Sequence, residues 1–165
     1  HHNRVRRQRQ MCIRDRPVGV SYYNLAGTNP SVLPDFSGLT PISTGEMLQI
    51  NLASTGGAFG TSGLSDDVGA VFTSMIDFPE AGVWTLYTES DDGSKLLVDG
   101  TLVVDNDGLH GMVEVGGTIE VTEPGPMAVR VEFFERGGGA GLIVRWEGPG
   151  VAKAVVPSSA WRPAG

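Results

Sequence analysis

Glu89-Ser90-Asp91-Asp92-Gly93-Ser94-Lys95-Leu96-Leu97-Val98-Asp99-Gly100 packs three signals into one short run. Two adjacent acids sit on a turn, a short apolar strand follows, and Asp-Gly closes it. Asp-Gly between apolar runs is the strongest short hairpin signal, so Lys95–Val98 and Thr101–Val104 are expected to pair. Neighbouring acids at a strand end repel each other unless a positive charge lies between them. A hard cation such as calcium, which takes six to eight oxygens at about 2.3–2.6 Å, answers that repulsion. The competing reading is that Asp91, Asp92 and Gly93 simply form a good turn.

Outward from this point, the chain reads as short strands with turn signals between them. Val18–Leu25 is a first strand, followed by a long surface connection over Ala26–Thr44. Met47–Leu52 alternates and reads as a strand, and Ala53–Ser65 as a loop rich in glycine, serine and threonine. Val68–Ile76 and Val83–Glu89 flank a turn at Pro79-Glu80-Ala81-Gly82. Met112–Val115 and Thr118–Val121 flank Gly116-Gly117 and are expected to form a second hairpin. After a hard turn at Pro124-Gly125-Pro126, Met127–Glu135 and Leu142–Trp146 flank the loop Gly137–Gly141. No segment keeps a helical period for three turns. Strands at intervals of roughly 8–12 residues imply an all-β, antiparallel sandwich or barrel. Alternation places Trp84, Leu86, Leu97, Val104, Val129, Val131, Phe133, Ile143 and Val144 in its core.

The net charge of −7 conceals a division. Residues 1–16 hold six arginines and one acid; residues 17–165 hold six basic residues and eighteen acids, a formal balance of −12. Such an acidic body repels nucleic acid and anionic lipid. No run approaches the ~20 apolar residues of a membrane span, so no membrane insertion is expected. No apolar leader is visible, and secretion is an inference rather than a motif. The single cysteine, Cys12, lies in the basic block, which leaves the body without disulfide or thiol chemistry. The block itself admits three readings: a basic arm, a disordered tail, or an artefact. The string Arg4-Val5-Arg6-Arg7-Gln8-Arg9-Gln10-Met11-Cys12-Ile13-Arg14-Asp15-Arg16 resembles translated sequencing adapter. Residues 17–165 are therefore expected to form the single folded domain, without 1–16.

Catalytic hardware is sparse. The body has no Gly-x-Ser-x-Gly elbow, no cysteine nucleophile and no metal-binding histidine pair. Asp105-Asn106-Asp107-Gly108 starts like an EF-hand loop but has no Glu at position twelve, and is rejected as one. His110 has no histidine or cysteine partner and reads as a hydrogen-bonded structural residue. Asp66-Asp67 reads as a pair of solvated turn acids. The Gly137–Gly141 loop joins two strands and is no phosphate loop. An enzyme is the poorest hypothesis.

The ordered set Pro79–Leu86, Ser90–Ser94, Leu97–Gly100, Val103–Asn106 with His110, Val129–Glu135, Leu142–Trp146 and Val155–Pro157 resembles the fourteen-kilodalton protective-antigen domain, PA-fourteen. The resemblance implies a β-sandwich of the kind found in toxins, adhesins, glycosidases and flocculin-type lectins. It further implies that Asp91 and Asp92 form a cis-linked pair holding calcium, which then coordinates vicinal sugar hydroxyls. The remaining ligands would come from Glu135–Gly141. That loop has no Asn or Gln side chain, so the carbonyls of Gly137, Gly138, Gly139 and Ala140, or Glu135, would serve. His110, Trp84 and the Gly56–Gly63 loop are candidates for shaping the sugar side. The expected function is calcium-dependent carbohydrate binding by a piece of a larger secreted bacterial protein, extracellular or at the cell surface, with a glycan as partner. The alternative is a structural spacer or protein-interaction sandwich that binds neither metal nor sugar.

Overall fold

The computed structural model describes residues 16–165; the expectations for the basic block fall outside that range, Arg16 excepted. Twelve strands follow one another: β1 (Val18–Asn24), β2 (Ser43–Met47), β3 (Asn51–Thr55), β4 (Val68–Phe78), β5 (Gly82–Asp91), β6 (Ser94–Val98), β7 (Thr101–Asn106), β8 (Val113–Val121), β9 (Gly125–Glu135), β10 (Ala140–Gly148), β11 (Val151–Val155) and β12 (Trp161–Arg162). One sheet runs β2-β1-β4-β9-β6-β7, with β12 added to β4. The other runs β11-β10-β5-β8, with β3 beside β10. The pairings are antiparallel. The sheets stay separate, so the architecture is a sandwich and not a closed barrel.

Alternation drives the packing, since successive side chains point to opposite faces of a strand. Along β5, Trp84, Leu86, Thr88 and Ser90 turn inward; along β9, Val129, Val131 and Phe133 do. Phe133 stacks on Phe59 with ring centroids 4.2 Å apart. Trp84, Trp146 and Phe78 fill the end of the sandwich where β5 begins. Phe134 is also buried, although it is the neighbour of Phe133. It belongs to a second cluster with Tyr23, Leu25, Phe36 and Val71, on the outer face of the larger sheet. The Ala26–Thr44 segment is therefore more than a surface connection. Its 3₁₀ turn at Phe36–Gly38 places Phe36 over that face.

Four expectations are corrected. Leu97 is half-buried and Leu96 fully buried; likewise Leu142 faces the core and Ile143 does not. Each is a one-residue slip within a continuous apolar run, and a slip exchanges core and surface. Met47–Leu52 is two half-strands rather than one. Met47 ends β2 opposite Val18, whereas Asn51 opens β3 opposite Ile143 in the other sheet. The buried Ile50 between them accepts a hydrogen bond from Val144 N through its carbonyl. Finally, Gly116-Gly117 is not a turn but the middle of β8. A Cβ on Gly116 would lie 2.7 Å from the Tyr87 ring, and one on Gly117 would collide with the Val103 carbonyl. These glycines permit close approach within the sandwich, which a sequence signal shared with hairpins cannot distinguish.

Leu96→Ala should cost about 2–5 kcal/mol of stability, the range for a buried leucine, and Leu97→Ala clearly less. Urea melts of the two variants check this. Equal losses would contradict the register.

Candidate functional site

Four connections cross from one sheet to the other at the same end of the sandwich. Three of them converge, the steps from β5 to β6 (91–94), from β7 to β8 (106–113) and from β9 to β10 (135–140); the fourth runs from β3 to β4 (55–68). The first is the tightest, with only Asp92 and Gly93 between the strands. Gly93 is buried, and a Cβ there would meet the Phe134 ring at 2.6 Å and Gly108 N at 2.8 Å. Only glycine fits. The Asp91–Asp92 peptide bond is cis.

Asp92 ties the three connections together. Its buried carboxylate accepts hydrogen bonds from Arg136 N at 2.9 Å and His110 N at 3.3 Å. Asp91 lies opposite Gly141 in the β5–β10 ladder. Burial, and then the adjacent Asp92 charge, push the Asp91 carboxyl above its ordinary pKa. His110 folds back on its own loop: Nδ1 sits 2.8 Å from the Gly111 carbonyl and Nε2 2.8 Å from the Asn106 carbonyl. Burial disfavours the charged imidazole, but the two carbonyls and Asp92 outweigh it and hold the His110 pKa above its usual value. Both ring nitrogens of His110 thus lie against main-chain carbonyls, and the residue also forms part of the pocket wall.

Behind the loops lies a polar layer absent from the sequence reading. Ser90 Oγ and Ser94 Oγ are 2.7 Å apart, and Ser94 Oγ is 2.9 Å from Thr88 Oγ1. Asn106 Nδ2 donates to the Val113 carbonyl at 2.8 Å and the Thr88 carbonyl at 3.1 Å. This buried network fixes where β5, β6, β7 and β8 meet. Asp66, read as solvated, is exposed, yet its Oδ1 accepts from Gly138 N at 3.2 Å. Asp67 adopts φ 51° and donates its N–H to the Arg136 carbonyl.

Glu135 is the most unusual group. It is fully buried, and neither carboxyl oxygen has a hydrogen-bond partner. Burial, followed by the charges of Asp66, Asp92, Asp91 and Asp67, pushes its pKa up to about 8. A buried ionised carboxylate without a partner is costly, so the group is held neutral.

Asp91, Asp92, Leu109, His110, Gly111, Arg136, Gly137 and Gly139 line one pocket of about 450 Å³. The structure therefore brings together the two acids, His110 and the glycine loop. Ala140 stands apart, its side chain buried in the core at the start of β10. Trp84 also stands apart, seven residues back along β5, or about 23 Å at ~3.3 Å per residue. The Gly56–Gly63 loop buries Phe59 and does not line the pocket. Leu109, Gly111 and Arg136 were missed, because nothing local marks a loop residue as facing a distant turn.

The oxygens present suit a hard cation. Two adjacent acids line the pocket, and the neutral Glu135 carboxyl lies behind them, outside the pocket lining. The Gly139 backbone runs so close to Asp91 that an added Cβ would be 3.2 Å from Asp91 Oδ2. Among the described residues, no three His, Cys, Asp or Glu side chains converge as a ready metal cluster. Gly137 and Gly139 line the pocket beside the two acids, whereas Gly138 does not and gives its N–H to Asp66.

A sandwich whose inter-sheet loops converge on adjacent acids has the architecture of a loop-borne binding domain. The chain belongs to the PA14 domain family, whose sequence pattern matches residues 34–160. No curated protein matches it. Among solved structures, it is similar to an anti-sigma factor domain-containing protein, at 22% identity and a TM-score of 0.76. That match covers 92% of this chain and 49% of the other, so the chain spans about half of that structure. It is also similar to a PA14 sugar-binding domain from an RTX adhesin, at 20% identity, a TM-score of 0.74, and coverage of 90% and 99%. A third is the A domain of epithelial adhesin 6 from Candida glabrata in complex with Galβ1-3GlcNAc. It has 10% identity, a TM-score of 0.68, and coverage of 91% and 88%. At these identities the likeness shows the fold.

Because Glu135 is a carboxyl with a raised folded-state pKa, the folded state binds more protons than the unfolded one above about pH 4.5. Without calcium, its contribution to stability should be fully present at and below that pH. It should fall as pH rises through about 8. Asp91 acts in the same direction. Chemical melts across pH 4.5–8.5 should show this decline, and Glu135→Gln should flatten it. An unchanged slope in the variant would mean that Glu135 is not the group responsible.

Proposed function

We propose that the domain is a calcium-dependent carbohydrate-binding module, non-enzymatic, and part of a larger secreted bacterial protein acting outside the cell or at its surface. One observation carries this reading: Asp91 and Asp92 share a single pocket with the glycine loop between β9 and β10. Membership of the PA14 family and the sugar-binding domains among its structural neighbours support it. When bound, calcium supplies a hard charge whose open coordination positions vicinal sugar hydroxyls can fill. The chain's own residues do the rest. Asp92 holds the β7–β8 and β9–β10 loops at fixed spacing through two main-chain hydrogen bonds. Asp91 presents a carboxylate free of such ties. His110 locks its loop, so that Leu109 and Gly111 form the adjacent wall.

Calcium should raise the melting temperature of the protein. A ligand that binds only the folded state at a hundredfold excess over Kd stabilises it by about 2.7 kcal/mol. Affinity in the ~10⁻⁴–10⁻³ M range of extracellular calcium modules is expected, since glycine carbonyls supply much of the shell. Asp91→Ala should abolish the calcium shift at little structural cost. Asp92→Ala should abolish it too, but at a further cost of about 1 kcal/mol, because two part-buried N–H groups lose their acceptor. A glycan array with and without calcium reads out the sugar. No calcium heat at millimolar concentration, together with coincident melts of wild type and Asp91→Ala, would replace this reading with the spacer.

A further inference from the structure

The pocket wall carries an arginine as well as two acids. Asp91, Asp92, His110 and Arg136 all line it. Asp92 uses only the main-chain N–H of Arg136, at 2.9 Å, which pins that residue to the pocket wall. The Arg136 guanidinium pairs with no carboxylate among the described residues; its one side-chain hydrogen bond runs to Asn29 Oδ1 at 3.4 Å. The arginines within the strands, Arg130, Arg145 and Arg162, each pair with an acid.

A divalent ion on the two carboxylates balances their charge and leaves the Arg136 guanidinium in excess. A neutral sugar would fill the coordination shell and leave the guanidinium unmatched. A sugar bearing a carboxylate would match it, because the planar guanidinium takes a carboxylate through two parallel hydrogen bonds. The rest of the body works against dense polyanions, since residues 17–165 carry eighteen acids against six basic residues. The favoured ligand is thus a sugar with a single, well-placed carboxylate rather than a heavily sulfated chain.

We propose that this pocket selects uronic-acid-bearing glycans, with the Arg136 guanidinium receiving the sugar carboxylate beside the Asp91–Asp92 cation. The proposal rests on the calcium-dependent sugar reading of the same pocket. The test is calorimetry on the full chain in millimolar calcium, with short uronate disaccharides of galacto, gluco and manno configuration. Each is compared with its methyl ester, which removes the charge and little else. At least one acid should bind tenfold or more tightly than its ester. Arg136→Gln should bring that ratio close to one, whereas Asp91→Ala should weaken acid and ester alike. An ester bound as tightly as its acid overturns the proposal and leaves calcium-dependent sugar binding standing. A preference for the acid that survives Arg136→Gln overturns the assignment to Arg136. Acid binding undiminished by chelator upholds carboxylate selection and removes the calcium dependence. No binding of any acid or ester, together with a silent glycan array, removes both readings.

Discussion

The chain must pass from one sheet to the other between Asp91 and Ser94 with only two residues in hand, and the rest of the site follows from that constraint. A crossing so short brings main chain against main chain: Phe134 N donates to the Gly93 carbonyl, and the Gly93 Cα faces the Phe134 ring and Gly108. Only glycine tolerates that approach, and only a short acceptor can sit beside it and reach two loops at once. Asp92 is that acceptor. Removing either residue would loosen the spacing of the three converging crossings, because they share this one junction.

Electrostatics concentrates at the same end. Asp66, Asp67, Asp91 and Asp92 surround the buried Glu135, and each of their charges disfavours its ionisation. An arrangement that gathers acids around an unpartnered carboxyl gives up stability locally. The sandwich elsewhere can bear this. Its long β4–β9 ladder and the packed rings of Phe78, Trp84 and Trp146 at the far end hold the frame away from these loops. The opposing requirements of a rigid frame and a polar, charge-rich opening are separated along the strands.

Much of the fold was legible in the sequence because alternation and turn chemistry are local. The Asp99-Gly100 hairpin, the apolar faces of β5 and β9 and the acids at the end of β5 all follow from residues within a few positions of one another. What escaped depended on distant neighbours. Gly116 and Gly117 look like a turn and are instead room made for Tyr87 and the Val103 carbonyl. Leu96-Leu97-Val98 and Leu142-Ile143-Val144 are apolar throughout, so the pattern could not say which residue faces inward. At the site, Asp91, Asp92, His110 and the glycine loop were readable as polar residues on turns. Arg136 was not, because its importance lies in lacking a partner, and partners are a property of the folded molecule.

All three tryptophans, Trp84, Trp146 and Trp161, are buried. Trp84 and Trp146 share one aromatic cluster at the end of the sandwich opposite the pocket, and Trp161 pairs with Ile76 near the closing end of β4. Intrinsic fluorescence of this protein is therefore a gauge of whether the frame is folded. It is optically blind to what occupies the pocket. A titration followed by tryptophan emission alone would register silence at full occupancy, so binding here has to be read from heat, from a labelled ligand, or from a chromophore introduced at the loops.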